Sequence, residues 1–333
     1  MLVKFGKKGF RTKREWGGYW REVGRLLGDS IRAPRALCGE LARKRPNQDK
    51  LLKLAAAEDL GPGDLTSEAI IPKSLRVRGF YVAKGRGVVA GLPVLADVFD
   101  AFGKGVKVRL LAEDGLAVRP GARLAEVRGP ARTILAGERL SLNLLCHLSG
   151  VATLTAQYVK RTAGTRASIY DTRKTTPGLR HLEKYAVVVG GGLNHRLGLY
   201  DAVLIKDNHL ALAGTSITEA VERAKGHTRR MRWYRKPVEV EVTGLAGLAE
   251  AVRAGADLVM LDNFRPARAA GAVKLARELA RKRGRPVEIE ISGGVSLKTV
   301  RAYARANPDR ISVGALTHSA PALDISLELE RAQ

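Results

Sequence analysis

Val238-Glu-Val-Glu-Val242, Leu258-Val-Met-Leu261 and Val287-Glu-Ile-Glu-Ile291 are short runs dominated by branched aliphatic residues, and each opens directly into polar or glycine residues. Ser168-Ile-Tyr170 and Ala202-Val-Leu-Ile205 precede them and Arg310-Ile-Ser-Val313 follows, with starts about 20 to 36 residues apart. That interval holds one strand, one helix and two turns, so the chain beyond residue 165 reads as consecutive βα units and a parallel sheet. The exits of these runs are, in order, Asp171-Thr-Arg-Lys174, Lys206-Asp-Asn-His209, Glu241, Asp262-Asn263, Ser292-Gly-Gly294 and Gly314. Polar residues at every exit suit a (β/α) barrel with its site on the carboxyl face. An open doubly wound sheet would gather them near one switch point. A barrel is expected, and its strand number stays open to fewer than eight.

Upstream the pattern changes. Leu51-Leu52 and Leu54-Ala55 begin a helix that breaks at Glu58-Asp-Leu-Gly-Pro-Gly-Asp-Leu-Thr66. Residues 75 to 129 alternate short apolar runs with Gly and Pro, which reads as strands around a helix at 93–102. From Thr133 to Lys160 the period becomes helical, and Arg139, Asn143 and His147 fall at i, i+4 and i+8 on one polar stripe. The expected organisation is a basic extension (1–45), a mixed α/β domain that ends in the long helix (46–160) and the barrel (161–333).

The 333 residues carry 58 Lys+Arg against 33 Asp+Glu, a net +25, with 45% hydrophobic content that supports a substantial core. Residues 1–45 alone hold a surplus of nine positive charges and the segment Trp16-Gly-Gly-Tyr-Trp20. Three readings stay open for them: an arm for nucleic acid or an anionic surface, an extension without a dedicated role, and upstream sequence from a misassigned start. The basic stretch 229–236 carries the same open question. Cys38 and Cys146 have no CxxC or CxxH neighbourhood, so neither a disulfide framework nor a zinc site is expected. No run reaches the length of a membrane span, and no signal core follows the basic start. A soluble, cytoplasmic protein is expected. GxSxG, P-loop and HExxH patterns are missing, which disfavours acyl-enzyme, ATPase and metalloprotease chemistry.

The strand exits carry two kinds of charge. Arg173, Lys174, His195, Arg196 and Lys206, with Arg139 from the striped helix, form a cationic set without evident carboxylate partners; their mutual repulsion implies an anionic ligand with more than one acidic group. Glu241 and Asp262, at adjacent exits, form an oxygen pair suited to Mg²⁺. Ser292-Gly-Gly294 and Gly314 add bare backbone N–H groups of the kind that cradle phosphate in barrels. Taken alone, Glu241 within an alternating strand reads as an outward-facing residue. The ordered coincidence of these features at strand exits favours an enzyme over a nucleic-acid-binding protein, the different class suggested by the charge alone.

Several motifs together, Glu58-Asp-Leu-Gly-Pro-Gly-Asp-Leu-Thr66, Gly137-Glu-Arg139 with Asn143, Leu148-Ser-Gly150, Asp171-Thr-Arg-Lys-Thr-Thr-Pro-Gly-Leu-Arg180, Asn194-His-Arg196, Lys206-Asp-Asn-His209, Glu239-Val-Glu241, Leu261-Asp-Asn263, Ser292-Gly-Gly294 and Val313-Gly-Ala-Leu-Thr-His318, resemble those of the quinolinate phosphoribosyltransferase family over residues 48–330. The resemblance implies an α/β fold, a sandwich-like domain beside an incomplete barrel. It also implies phosphoribosyl transfer from phosphoribosyl pyrophosphate to quinolinate with decarboxylation. Arg173, Arg196, His195 and Lys206 would hold quinolinate, with Arg139 contributed across the interface of a homodimer or dimer-based oligomer. Lys174, Glu241 and Asp262 would be catalytic, the two carboxylates would hold Mg²⁺, and Thr172, Ser292, Gly293, Gly294, Val313, Gly314, Ala315 and His318 would complete the phosphoribosyl site. A paralogue acting on another acidic heterocycle is the alternative within the class.

Overall fold

The computed structural model describes residues 46–230 and 236–331. In chain order the elements are α1 (Pro46–Leu60), α2 (Leu65–Ile70), β1 (Arg76–Ala83), β2 (Gly87–Val88), α3 (Val94–Phe102), β3 (Lys107–Leu110), β4 (Ala117–Val118), β5 (Arg123–Pro130) and α4 (Ala131–Thr162). There follow β6 (Ser168–Tyr170), α5 (Arg180–Val189), β7 (Val203–Ile205), α6 (Asp207–Ala213), α7 (Ile217–Arg230), β8 (Val238–Val242), α8 (Leu245–Ala254) and β9 (Leu258–Asp262). The chain closes with α9 (Pro266–Arg283), β10 (Glu288–Ser292), α10 (Val300–Arg305), β11 (Arg310–Ser312), α11 (Ala315–His318) and β12 (Ile325–Arg331).

Two compact units result. The first comprises the described residues up to Leu154, with Pro177–Gly191 and those from Ala320 onward. Its antiparallel sheet has the order β12-β1-β5-β3 and buries Tyr81, Leu124 and Val127 against Leu95 and Phe99 of α3 and Ile134 and Leu145 of α4. The Gly-Pro-Gly-Asp turn stops α1 and starts α2, because Asp64 Oδ1 accepts a hydrogen bond from Ser67 N at 3.0 Å as an N-cap. Gly150 is required by close packing on α4: a Cβ there would lie 2.2 Å from the Pro321 carbonyl oxygen.

The expectation that the barrel extends to residue 333 is corrected. β12 pairs antiparallel with β1, from Val77↔Arg331 to Ala83↔Ile325, and Ile325 joins the first unit's core with Leu327 packed against it. α5 also belongs to the first unit, where Glu183 Oε1 lies 2.9 Å from His147 Nε2 and the Tyr185 hydroxyl bonds Asp114. Asp114 in turn accepts from Gly91 N and Leu92 N at 2.8 and 3.1 Å.

The second unit comprises Thr155–Thr176 and the described residues of Gly192–Ser319. Its parallel sheet has the order β6-β11-β10-β9-β8-β7, so from β7 to β11 strands consecutive in the chain are neighbours and β11 pairs back onto β6. That is barrel order. A parallel bridge between Tyr170 and Leu193 adds to the other edge of β6, and among the described residues no ladder joins it to β7, which leaves the barrel incomplete. No described helix is long and apolar enough to cross a membrane. The extension 1–45, with Cys38, lies outside the described residues, as does 231–235 within the basic stretch; Cys146 is a free thiol.

Candidate active site

Strand register decides which side chains share the interior. Glu241 pairs with Met260, Met260 with Glu290 and Glu290 with Arg310, while Ser292 pairs with Asp262. Because side chains alternate, Glu239 and Glu241, Met260 and Asp262, Glu288, Glu290 and Ser292, and Arg310 and Ser312 lie on one face. The intervening Val238, Val240, Val242, Ile289 and Ile291 are buried on the other, where helices such as α7, α8 and α9 cover the sheet. The outward reading of Glu241 therefore fails for a physical reason. In a barrel wrapped by helices the outer face is apolar, and this interior takes the charged half of each alternating strand.

The expectation of cations without carboxylate partners is also corrected. Lys206 Nζ bonds Glu241 Oε2 across neighbouring strands. His195 is buried at 8% exposure, with Nε2 at 3.1 Å from Glu239 Oε2 and 3.5 Å from Glu290 Oε1. His209 is engaged by the backbone, its Nδ1 accepting from Lys206 N at 2.9 Å. Among the described residues neither Arg173 nor Arg196 makes an ion pair with a carboxylate, although the charges of Glu239 and Asp201 act on Arg196. Arg173 Nε is buried without a hydrogen-bond partner, and the Arg196 guanidinium is pushed below its ordinary pKa, first by burial and then by the charge of Arg173. Two arginines that repel each other are suited to receive an anion.

The other exits form two tight constructions. Asn263, at φ 55°, donates from its backbone to Ser292 O at 2.9 Å and from Nδ2 to Asp262 Oδ2 at 2.8 Å. Gly293 packs on it at φ +88°, where a Cβ would meet Asn263 Oδ1 at 2.2 Å, so no side chain fits there. Lys174, Gly314 and His318 also converge: a Cβ on Gly314 would lie 3.0 Å from Lys174 Cδ and 3.1 Å from His318 Nε2. Thr172 Oγ1 accepts from Lys174 N at 3.0 Å, and Thr317 Oγ1 donates to Lys174 O at 2.7 Å. Val313 is buried and donates its N–H to Tyr170 O at 2.9 Å, which seats the Gly314-Ala315 turn; Gly294 is exposed at φ 63°. Arg139 is exposed on α4, in the other unit.

The carboxylates that sequence reading missed are Glu239 and Glu290. Ser312 Oγ donates to Glu290 Oε1 at 2.5 Å, and Arg310 bonds Glu288 and stacks on Tyr170, 4.9 Å from the ring centroid. Their signal was the doubled Glu in each of Val-Glu-Val-Glu-Val and Val-Glu-Ile-Glu-Ile. Burial, and then the charge of Glu239, push Glu290 up to about 7. Because that value lies above the ordinary 4.5, the folded state binds this proton more tightly than the unfolded state. The stability so gained is full at acidic pH and lost as pH rises toward about 7. Glu290→Gln should therefore raise the melting temperature relative to the parent more at pH 8 than at pH 5, read by differential scanning calorimetry. The opposite trend would contradict the assignment.

For a hard cation, Glu241 and Asp262 suit best. They project from adjacent strands onto one face at the carboxyl end, and each has one oxygen committed, to Lys206 and to Asn263, with a second available among the described contacts. Oxygen donors completed by substrate oxygens fit Mg²⁺.

The models of the quinolinate phosphoribosyl transferase N-terminal and C-terminal domains match residues 64–149 and 151–328. A probable nicotinate-nucleotide pyrophosphorylase [carboxylating] of Methanocaldococcus jannaschii is 42% identical over 286 residues, 85% of this chain and 98% of that protein. The nicotinate-nucleotide pyrophosphorylase [carboxylating] of Mycobacterium leprae is 43% identical over 281 residues, covering 84% and 95%. The crystal structure of NadC from Streptococcus pyogenes superposes with a TM-score of 0.79 at 38% identity, covering 87% of this chain and 99% of that one. A two-unit α/β fold, a ring of polar strand exits and matches along nearly the whole described chain converge on one conclusion: the chain belongs to the quinolinate phosphoribosyltransferase family.

Proposed function

We propose that the paired Arg173 and Arg196, with Lys206, receive the two carboxylates of quinolinate at the barrel mouth, and that the Lys174–Gly314–His318 and Asp262–Asn263–Ser292–Gly293 constructions receive phosphoribosyl pyrophosphate. The reaction is that of the family, a decarboxylating phosphoribosyl transfer in NAD biosynthesis. The observation that carries the assignment is the buried, unpartnered Arg173 Nε beside a second arginine. The cation set of the site is completed by Arg139 of a second copy of the chain.

The ring nitrogen of quinolinate attacks the anomeric carbon as pyrophosphate leaves, through an oxocarbenium-like ribose. Lys174 neutralises charge growing on the departing pyrophosphate, and Glu241 or Asp262 supports the transient positive charge of the sugar. Mg²⁺, held by Glu241 and Asp262, would supply further neutralisation of pyrophosphate. Alkylation makes the pyridine ring cationic, so it accepts the electron pair released when the adjacent carboxylate departs as CO₂. The arginines hold the ring in line for attack.

A dicarboxylate clamp should discriminate. Nicotinate leaves one cation unpaired, a cost of about 1–3 kcal/mol, and should bind roughly 5- to 150-fold more weakly than quinolinate by calorimetry. Equal affinities would contradict the clamp. The strand-exit motifs are accounted for by this family, so the surplus charge supplies no separate support for nucleic-acid binding.

A further inference from the structure

The second unit carries a cavity of about 260 Å³ lined by Glu222, Lys225 and Arg229 of α7, Ala254 at the end of α8, and Arg283 and Arg285 around the end of α9. These segments lead into β8, β9 and β10, whose opposite ends carry Glu241, Asp262 and Ser292. The cavity and the candidate active site therefore lie at the two ends of the same strands. Gly255 ends α8 in the left-handed region at φ +87°, and its carbonyl accepts a hydrogen bond from Lys225 Nζ, which also lies 3.8 Å from Asp257 Oδ1. A Cβ at Gly255 would meet Arg283 Nη2 at 2.0 Å, so the bare glycine lets that guanidinium lie against the turn. Gly284, at φ +71°, ends α9 in the same way, and Arg285 N donates to Ala280 O at 3.2 Å, which fixes the backbone from which Arg283 and Arg285 project.

Cations near helix C-termini commonly serve the last carbonyls, and Lys225 does so. Arg229, Arg283 and Arg285 do not: among the described residues none of them makes an ion pair or a side-chain hydrogen bond, and Glu222, the one carboxylate of the lining, pairs with none of them. Like charges gathered on a concave wall create a positive potential that draws anions in, and guanidiniums offer forked donors that match phosphoryl oxygens. The volume is below the roughly 300–1,000 Å³ of sites that enclose a drug-sized ligand, which suits a short phosphate chain and leaves out a base.

We infer that this cavity binds a compact oligophosphate, a short chain of linked phosphoryl groups, through Arg229, Arg283 and Arg285, away from the catalytic end of the barrel. That chemistry is offered by an inorganic polyphosphate and by the tail of a nucleoside triphosphate. Arg229 also opens the basic stretch 229–236, for which the family reaction has no use. Binding there is independent of the proposed reaction.

Inorganic tripolyphosphate, titrated calorimetrically into the full-length protein, should show two classes of site, because the catalytic site is proposed to take a pyrophosphate group as well. Arg283→Gln combined with Arg285→Gln should weaken one class at least about tenfold and leave the other. Quinolinate turnover should change by less than about twofold, with melting unchanged. Arg229→Gln, on a different helix, should weaken the same class by itself, which separates loss of charge from repacking at Gly255. Tripolyphosphate binding that all these substitutions leave intact, as contacts spread over the basic extension 1–45 would, overturns the inference. So does loss of single-stranded oligonucleotide binding while tripolyphosphate binding persists, because the arginines would then belong to a nucleic-acid track. A nucleoside triphosphate should bind within about threefold of tripolyphosphate, which makes the inorganic chain sufficient; an affinity set by the base overturns the phosphate-only reading. Wild-type protein that does not turn over quinolinate would refute the functional reading and leave this test standing, since it reads binding.

Discussion

Lys174→Ala and Glu241→Ala are each expected to lower kcat by about 10²-fold or more, because each removes a charge that matters most when charge develops in the transition state. Lys174 is exposed and touches the rest of the site through its stem and backbone, with its carbonyl held by Thr317 and its Cδ beside Gly314. Its truncation opens no core cavity, so the melting temperature should hardly move. Glu241 differs. It is paired with Lys206, so alanine also strips that lysine of its partner, and quinolinate binding should change together with turnover. Near-wild-type rates in both variants, with unchanged melting, would make these residues ordinary surface charges. Kinetics at saturating substrate, with calorimetric melting alongside, separates the outcomes.

The second large effect is expected from mixing two defective proteins. Arg139 is exposed on α4, in the first unit, whereas Lys174 is at the exit of β6 in the second. If Arg139 serves the site of a second subunit in an isologous dimer, Arg139→Ala and Lys174→Ala should each be nearly inactive alone. In a mixed dimer one site collects both defects and the other has neither. Random exchange should therefore return roughly a quarter of wild-type activity. Native mass spectrometry checks that mixed dimers form. Confirmed exchange without recovered activity would assign Arg139 to its own chain.

The barrel was legible in the sequence because each strand is short, β-branched and closed by a polar exit, all of them local signals. Ile325–Arg331 was misplaced for the converse reason. Its alternation of Ile325, Leu327 and Leu329 with Ser and Glu is that of any half-buried strand, and its partner β1 lies more than 240 residues earlier in the chain, as in Lys84–Glu328 with a separation of 244. Period-2 patterning shows that Glu239 and Glu241 share a face but not which side of the sheet is wet. Only the helices packed over Val238, Val240 and Val242 decide it. Pairings such as Lys206 with Glu241 and His195 with Glu239 and Glu290 depend on strand order and register, so the cationic set looked less neutralised in the sequence than it is in the fold. The Asn263–Gly293 and Lys174–Gly314 contacts explain glycines that sequence reading took only as bare phosphate donors.

The central claim is tested most directly by incubating the purified protein with quinolinate labelled in the carboxylate next to the ring nitrogen, phosphoribosyl pyrophosphate and Mg²⁺, and measuring nicotinate mononucleotide and released CO₂ together. The arrangement of Arg173, Arg196, Lys174, Glu241 and Asp262 predicts one labelled CO₂ for each nucleotide formed, with none when quinolinate is replaced by nicotinate. Robust conversion of nicotinate with no turnover of quinolinate would contradict it.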